Sequence, residues 1–165
     1  GEITDLKVGI IGMGVSGGMI ADAMKFMGAD VSYYSRSRKQ DREDQGLVYR
    51  PLKELLARSE VVFACLNKNV ILLHEEEFTQ LGQGKILFNT SIGPAFDLPA
   101  LKTWLDPGNN YFICDTEGAL GDSTGELIRH PGVFCAHISA GRTKQAFDLL
   151  SKKVLDNIRT YLNQQ

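Results

Sequence analysis

The stretch that decides the fold is residues 6–35, LKVGIIGMGVSGGMIADAMKFMGADVSYYS. An apolar run at 8–11 predicts a strand, and a glycine-rich turn follows it directly. Residues 15–27 have the spacing of an amphipathic helix that ends at Gly28, and a second apolar strand follows at 31–34. A strand, a glycine turn, a helix and a second strand in this order predict a βαβ unit.

The glycines match the pattern G-x-G-x-x-G, in which each glycine has a mechanical role. Gly12 permits the tight turn, Gly14 lets a pyrophosphate approach the backbone, and Gly17 lets the helix pack closely on the strand. The pyrophosphate would bind the N–H groups of the first helical turn, at Val15 and Ser16, where the helix dipole favours negative charge. This predicts a dinucleotide site; a glycine turn with a purely structural role is the alternative.

The end of the second strand indicates which dinucleotide would bind. A carboxylate about 20 residues after the glycines would bond the ribose 2′-OH of NAD. This chain instead has the run Ser35-Arg36-Ser37-Arg38-Lys39, with no carboxylate before Asp41. Guanidinium and hydroxyl groups suit a 2′-phosphate, so NADP is favoured and NAD remains possible. The alternative is a solvated basic loop.

Composition limits the class of protein. The 165 residues suit a single domain, and 43% hydrophobic with 23% charged residues is ordinary for a globular protein. A net charge of −2 gives no electrostatic basis for binding nucleic acid or an anionic membrane. The apolar runs are too short to span a membrane.

The cysteines and one histidine cluster raise the question of a metal or redox site. Cys65, Cys114 and Cys135 each lie in a β-type apolar run, at spacings that fit neither a metal knuckle nor a C-x-x-C pair. They predict reduced thiols in a cytoplasmic protein. His74 and the acids at 75–77 predict a solvated helix start rather than a metal site.

The rest of the chain alternates strands and helices. Residues 1–5 are a short polar lead and 40–48 are expected to be irregular. Further strands are predicted at 60–66, 85–88, 111–114 and 133–136. Helices are predicted at 52–58, 75–81, 98–105 and 143–162, the last with Thr143 as N-cap and an apolar face of Phe147, Leu150, Val154, Ile158 and Leu162. This alternation predicts one α/β domain with a doubly wound, mostly parallel sheet.

Ligands of such sheets bind at the carboxyl ends of the strands. Besides the glycine turn and the basic run, four predicted strands end in polar segments. The candidate cofactor-binding residues there are Leu66, Asn67, Thr90, Ser91, Asp115 and His137.

With these segments in place, the chain resembles the nucleotide-binding domain of the D-isomer-specific 2-hydroxyacid dehydrogenases over nearly its whole length. Residues 8–14 match the family's glycine motif, and 33–39 are similar to the second strand of its NADP-using glyoxylate and hydroxypyruvate reductases. Residues 84–90 and the His137-Ile138 pair resemble its later motifs. The resemblance implies a Rossmann-type NAD(P)-binding domain.

The resemblance also implies hydride transfer between a nicotinamide and a small 2-oxo or 2-hydroxy acid. His137 matches the family's acid–base histidine, and Asp115 matches an aspartate that faces the nicotinamide amide. The arginine that holds the substrate carboxylate and the glutamate that pairs with the histidine are replaced by Ile92 and Leu120.

Three alternatives follow from these replacements. Glu117 or Asp122 could act as the partner of His137 from a shifted position, or His137 could be a structural strand-end residue bonded to backbone. The whole domain could also be a non-catalytic dinucleotide-binding module.

The family's architecture implies two expectations about partners. Its substrate cleft lies against a second domain built mainly from an N-terminal segment. We expect no such segment in this chain, so that it would hold a cofactor without closing over a substrate. The family dimerises through this domain, which implies a homodimer.

Overall fold

The computed structural model describes residues 2–164 and contains one seven-stranded, fully parallel sheet. The strand order is β3-β2-β1-β4-β5-β6-β7. The strands are β1 Lys7–Ile11, β2 Asp30–Tyr34, β3 Val48–Tyr49, β4 Val61–Ala64, β5 Ile86–Asn89, β6 Tyr111–Cys114 and β7 Val133–Cys135. The predicted doubly wound α/β fold is confirmed.

Seven α-helices connect or follow these strands in the described part of the chain. They are α1 Val15–Phe26, α2 Gln40–Asp44, α3 Leu52–Arg58, α4 Glu75–Leu81, α5 Leu98–Leu105, α6 Glu117–Leu120 and α7 Lys144–Leu162. The predictions at 52–58, 75–81 and 98–105 are confirmed to the residue.

The expectation that residues 40–48 are irregular was wrong. Gln40–Asp44 form α2, a turn follows at 45–46, and Val48 begins the short edge strand β3. Side-chain bonds stabilise this charged segment: Gln40 Nε2 donates to Asp44 Oδ1 over 2.9 Å, and Glu43 Oε1 accepts the hydroxyl of Tyr33 over 2.9 Å. Tyr33 is fully buried, so α2 is anchored on the sheet by a bond that hydrophobic periodicity does not reveal.

The two faces of the sheet are covered unequally. Since the chain moves in one direction from β4 to β6, right-handed crossovers place the connecting helices on the same face. On that face Val62, Leu87 and Phe112 lie side by side and are completely buried, in one core with residues of α3, α4 and α5. On the opposite face α1 packs over β1 and β2, in a second core.

That opposite face is partly bare along β4–β7. The rings of Phe63 and Phe88 stack 4.6 Å apart and are half-buried, while those of Tyr111 and Phe134 lie 6.0 Å apart and are exposed. Together with Ile86 and Ile113, these residues form what we call the bare sheet face. An apolar surface of this kind is typical of a contact with another element or chain.

The helix α7 extends from the end of this fold. Thr143 caps it as predicted, its hydroxyl oxygen accepting the N–H of Ala146 over 3.1 Å. The predicted apolar face is present but uncovered, because Phe147, Leu150 and Ile158 are all at least half exposed. Within residues 2–164, no helix combines the length and the hydropathy needed to cross a membrane.

Candidate functional site

The glycine turn between β1 and α1 has the backbone that its sequence predicts. Gly12 has φ +96°, and a Cβ there would lie 2.4 Å from the carbonyl oxygen of Cys65. A Cβ on Gly17 would lie 1.9 Å from the carbonyl oxygen of Gly12, so this glycine sets the contact between helix and strand. A Cβ on Gly14 meets nothing within 4 Å. Two glycines are therefore required by packing, and the third faces open space.

The N-terminus of α1 is available to an anion. Gly14 is the N-cap and offers no side chain to the N–H groups of the first turn, which contains no acidic residue. Val15 is 82% exposed and Ser16 is also exposed. These N–H groups and the helix dipole favour a negatively charged ligand such as a pyrophosphate.

The basic run after β2 is more ordered than a solvated loop. Ser35 is buried and its hydroxyl donates to the carbonyl of Ser37 over 2.6 Å. The Arg38 guanidinium binds both carboxylate oxygens of Glu43 and lies 5.3 Å from the ring centre of Tyr49. This bond holds the pKa of the Glu43 carboxyl below its usual range.

Arg36 and Arg38 therefore differ in their surroundings. Arg36 is exposed and, among the described residues, forms no hydrogen bond or ion pair. Its guanidinium is available to a phosphate, whereas that of Arg38 is already paired. The sequence did not predict the role of Glu43, since its distance from Arg38 depends on the helix α2.

The loops after β4 and β5 are bonded to each other. The N–H of Leu66 donates to Ser91 Oγ over 2.9 Å, and the hydroxyl of Thr90 donates to the carbonyl of Ala64 over 3.1 Å. Thr90 and Asn67 are exposed, whereas Ser91 is buried. Of these predicted contact residues, Thr90 and Asn67 are thus open to a ligand. Ser91 instead stabilises the loop after β4 by its bond to Leu66.

Asn89 is a positioning residue that the sequence analysis did not select. Its buried Nδ2 donates to the carbonyls of Gly93 and Ala119 over 2.9 and 2.8 Å, and its Oδ1 accepts the N–H of Ser91 over 3.1 Å. It therefore ties the loop after β5 to α6. In the sequence, the feature that indicates this role is an asparagine at the end of an apolar strand, because asparagine side chains bond neighbouring backbone groups.

Asp115 holds the loop that follows β7. Its Oδ2 accepts the N–H of Ala140 over 2.9 Å, and its carbonyl accepts the N–H of Ile138 over 3.0 Å. A cleft of about 500 Å³ opens between this loop, the glycine turn and the ends of β5 and β6. It is lined by Ser16, Phe88, Asn89, Thr90, Ile113, Cys114, Asp115, Ala136, Ala140 and Gly141. The predicted residues Ser16, Thr90 and Asp115 thus share one cleft.

His137 does not line this cleft but an adjoining depression of about 350 Å³, which shares Ile113, Cys114 and Ala136 with the cleft. The histidine is paired with a carboxylate there. Its Nδ1 lies 2.6 Å from Glu117 Oε1, and this bond lowers the pKa of the Glu117 carboxyl. His137 has φ +58°, a left-handed backbone conformation that is uncommon for a residue with a side chain. Within the described chain no residue bonds its Nε2.

Asp122, the other candidate partner of His137, is used elsewhere. Its carboxylate accepts the hydroxyl of Thr124 and the N–H groups of Thr124 and Leu127. These bonds, that of the Thr124 hydroxyl above all, lower the pKa of Asp122. Glu117 is therefore the carboxylate that meets the histidine. The first residue of α6 can reach it because β6 and β7 are neighbours in the sheet.

Ile92 and Leu120 occupy the positions at which the resemblance places an arginine and a glutamate. Both side chains are apolar, but their surroundings differ. Ile92 is 75% exposed near the cleft, whereas Leu120 is 1% exposed in the hydrophobic core. A charged side chain could be accommodated at position 92, but a carboxylate at position 120 would be buried without a partner.

The cysteines lie at the ends of strands, and His74 precedes the first residue of α4. All three thiols are free, and Cys114 faces Cys135 on the neighbouring strand. Burial raises the pKa of Cys114 to about 12 and also raises that of Cys65. His74 caps α4 and its ring binds Asp97.

A parallel sheet with a glycine turn, an uncapped helix N-terminus and a cleft at its carboxyl edge is the architecture of a Rossmann-type dinucleotide-binding domain. The sequence model of the D-isomer specific 2-hydroxyacid dehydrogenase NAD binding domain matches residues 1–139. The chain belongs to this family.

Individual relatives agree with this assignment. A glyoxylate reductase from Aeropyrum pernix is 34% identical over 111 residues, which cover 65% of this chain and 33% of the relative. A D-lactate dehydrogenase from Lactobacillus delbrueckii subsp. bulgaricus is 28% identical over 174 residues, covering 94% and 52%. The chain thus spans about half or less of the length of these relatives.

Solved structures confirm the fold. The D-lactate dehydrogenase from Aquifex aeolicus, complexed with NAD and lactic acid, superposes with a TM-score of 0.86 at 21% identity. The superposition covers 99% of this chain and 55% of that protein. At this identity the comparison supports the fold alone.

Proposed function

We propose that this domain serves an NADP-preferring oxidoreductase that reduces small 2-oxo acids to 2-hydroxy acids. The observation that carries the proposal is the pair of His137 Nδ1 and Glu117 Oε1, 2.6 Å apart beside the cleft at the carboxyl edge of the sheet. The glyoxylate and D-lactate enzymes among the relatives support this substrate class.

The residues of the chain fit a nicotinamide dinucleotide. The open space at Gly14 and the uncapped start of α1 accept a pyrophosphate, and the cleft from Ser16 to Asp115 can hold the nicotinamide. When bound, NADPH supplies the hydride for reduction of the substrate carbonyl carbon.

His137 would donate the proton to the carbonyl oxygen. Glu117 accepts Nδ1–H, fixes the orientation of the ring and leaves Nε2 to act as the acid. Glu117 thereby takes the place of the glutamate that the family resemblance locates at Leu120. The substrate carboxylate would be held by backbone N–H groups near Ser91 or by a cation from outside residues 2–164.

The catalytic part of the proposal is tested in the intact protein with a panel of 2-oxo acids. His137→Gln should lower kcat by about 10²–10⁴-fold and leave NADPH affinity unchanged, because general acid catalysis contributes on this scale. Glu117→Gln should lower kcat less, since the acid remains. Unchanged kcat in both variants would rule out this proton donor.

The preference for NADP rests on Arg36, the unpaired guanidinium of the basic run. Arg36→Ala should weaken NADPH binding by about 1–3 kcal/mol, the scale of a lost charged hydrogen bond, and leave NADH binding unchanged. Glu43→Gln frees Arg38 and should increase NADPH affinity. Calorimetric titrations that give equal affinities for NADPH and NADH in the unmodified protein would contradict the preference.

A second candidate is a dinucleotide-binding module that does not turn over. The exposed Ile92 and the buried Leu120 favour it, because neither can bind a carboxylate or support a histidine. Ile92→Arg separates the two candidates: a gain in kcat/KM shows a catalytic scaffold that lacks only a substrate anchor. No turnover in either protein, with the dinucleotide still bound, favours the module.

We also propose that the domain forms a homodimer. The bare sheet face supports this, since Tyr111 and Phe134 are 42% and 53% exposed in the single chain. A two-fold contact would place the same apolar surface of each copy against the other.

A further inference from the structure

Three different metal-ligating side chains meet at the ends of β6 and β7. Cys135 is the last residue of β7, His137 follows it in the left-handed turn, and Glu117 begins α6. One ligand atom from each residue lies within 4.8 Å of the other two. We infer that this thiol, imidazole and carboxylate form a binding site for a borderline divalent cation, with Zn²⁺ as the best match.

The chemistry of the donor set selects the metal. A thiolate and an imidazole favour Zn²⁺ or its analogue Co²⁺, whereas Mg²⁺ and Ca²⁺ require sites made almost entirely of oxygen ligands. Three protein ligands leave the fourth tetrahedral position to water, as in an open zinc site.

The required rearrangement is small. Ligand atoms of a tetrahedral zinc site lie about 3.3–3.6 Å apart, given Zn–S near 2.3 Å and Zn–N or Zn–O near 2.0–2.1 Å. The side chains of Glu117 and His137 are 60% and 58% exposed, so both can rotate into place. When the cation binds the imidazole at Nδ1, the proton there moves to Nε2 or to water, and the Cys135 thiol releases its proton to water.

The fold positions these ligands independently of any metal. Asp115 accepts the N–H groups of Ile138 and Ala140 after His137, and the carbonyl of Cys114 accepts the N–H of Ala136 before it. The turn that presents His137 is therefore fixed from both sides. Cys135 is held by the parallel pairing of β6 with β7. Since the backbone that carries these ligands is already fixed, mainly side-chain freedom is lost when the cation binds.

The site has a consequence for the proposed reaction but does not depend on it. A cation that holds the His137–Glu117 pair removes the proton donor, so Zn²⁺ should inhibit reduction of a 2-oxo acid and a chelator should restore it. Metal binding itself can be observed without turnover.

The experiment is a titration of the metal-free intact protein with CoCl₂, followed by absorption spectroscopy. We expect a thiolate-to-cobalt charge-transfer band in the near ultraviolet and visible d–d bands of a tetrahedral ion, saturating at one equivalent. Added Zn²⁺ should abolish both.

Variants show which residues bind. Cys135→Ser should abolish the charge-transfer band, and Cys135→Ser, His137→Gln and Glu117→Gln should each lower the affinity at least about tenfold. Cys65→Ser and His74→Asn are the matched controls and should leave the spectrum unchanged, with circular dichroism showing that every variant is folded. The inference is overturned if cobalt gives no tetrahedral spectrum with the unmodified protein, or if Cys135→Ser retains the thiolate-to-cobalt charge-transfer band.

Discussion

Gly14 and Gly17 belong to one turn, but an added side chain would affect them differently. A Cβ at Gly14 meets no atom within 4 Å, whereas at Gly17 it would collide with the carbonyl of Gly12. We therefore expect Gly14→Ala to fold normally and bind dinucleotide about tenfold less tightly, a loss of about 1.4 kcal/mol. Gly17→Ala should lower Tm. Calorimetric titration measures the loss of dinucleotide affinity in Gly14→Ala, and thermal unfolding measures the Tm of Gly17→Ala. An unchanged Tm for Gly17→Ala would contradict the packing argument.

Glu117 gives a pH-dependent test of the histidine pair. Its hydrogen bond to His137 lowers the pKa of the Glu117 carboxyl, so the bond is present above the ordinary carboxyl pKa and is lost as the pH falls through the lowered value. His137→Gln should raise the Glu117 pKa toward its usual range, as measured by carboxyl-carbon NMR. Asp122 is the control, because its pKa is lowered by Thr124 and should not change. An unaltered Glu117 titration would show that the pair does not exist in solution.

At the scale of single residues, the sequence indicated which side chains lie at the strand ends better than it indicated their contacts. The glycine roles followed from local backbone geometry, and His137 followed from a motif. The partner of His137 stayed open between Glu117 and Asp122, because the choice depends on which side chain crosses from β6 to β7. Three-dimensional distance decides this, and residue spacing does not encode it.

Among the elements, those with regular periodicity were predicted well and those stabilised by polar side chains were not. Helix α5 was correct because three apolar residues, Leu101, Trp104 and Leu105, mark its buried face. The helix α2 has no buried residue and was missed. The charged segment is ordered through Glu43, whose bonds to Tyr33 and Arg38 join residues 10 and 5 positions apart and so follow no helical periodicity.

Asn110 shows how one polar side chain joins several elements. It is fully buried, and its Nδ2 donates to the carbonyl of Trp104 and to Gln83 Oε1, while its Oδ1 accepts the N–H of Lys85. Asn110→Ala leaves these groups without partners and should lower the free energy of unfolding by about 2–4 kcal/mol. The exposed neighbour Asn109 is the control, since Asn109→Ala should have little effect in urea denaturation. Equal stability of the two variants would show that the bonds of Asn110 contribute nothing.

For the whole molecule, the most informative feature is the unequal covering of the sheet. The sequence predicted alternating strands and helices, but it did not indicate that α3, α4 and α5 would all lie on one face. That outcome follows from the strand order, because successive right-handed crossovers in one direction place their helices on the same side. The bare sheet face is thus a consequence of topology rather than of local sequence.

The proposed homodimer can be tested through this surface. Phe134 is 53% exposed beside Tyr111, so a charge at position 134 would be buried in a two-fold contact between bare sheet faces. We expect light scattering to give twice the chain mass of 18.2 kDa for the unmodified chain and the monomer mass for Phe134→Glu. Phe147→Glu changes an equally apolar position on α7 and is the control, since it should leave the dimer intact. Dissociation by Phe147→Glu alone would move the contact to α7, and a monomeric unmodified chain would refute the homodimer.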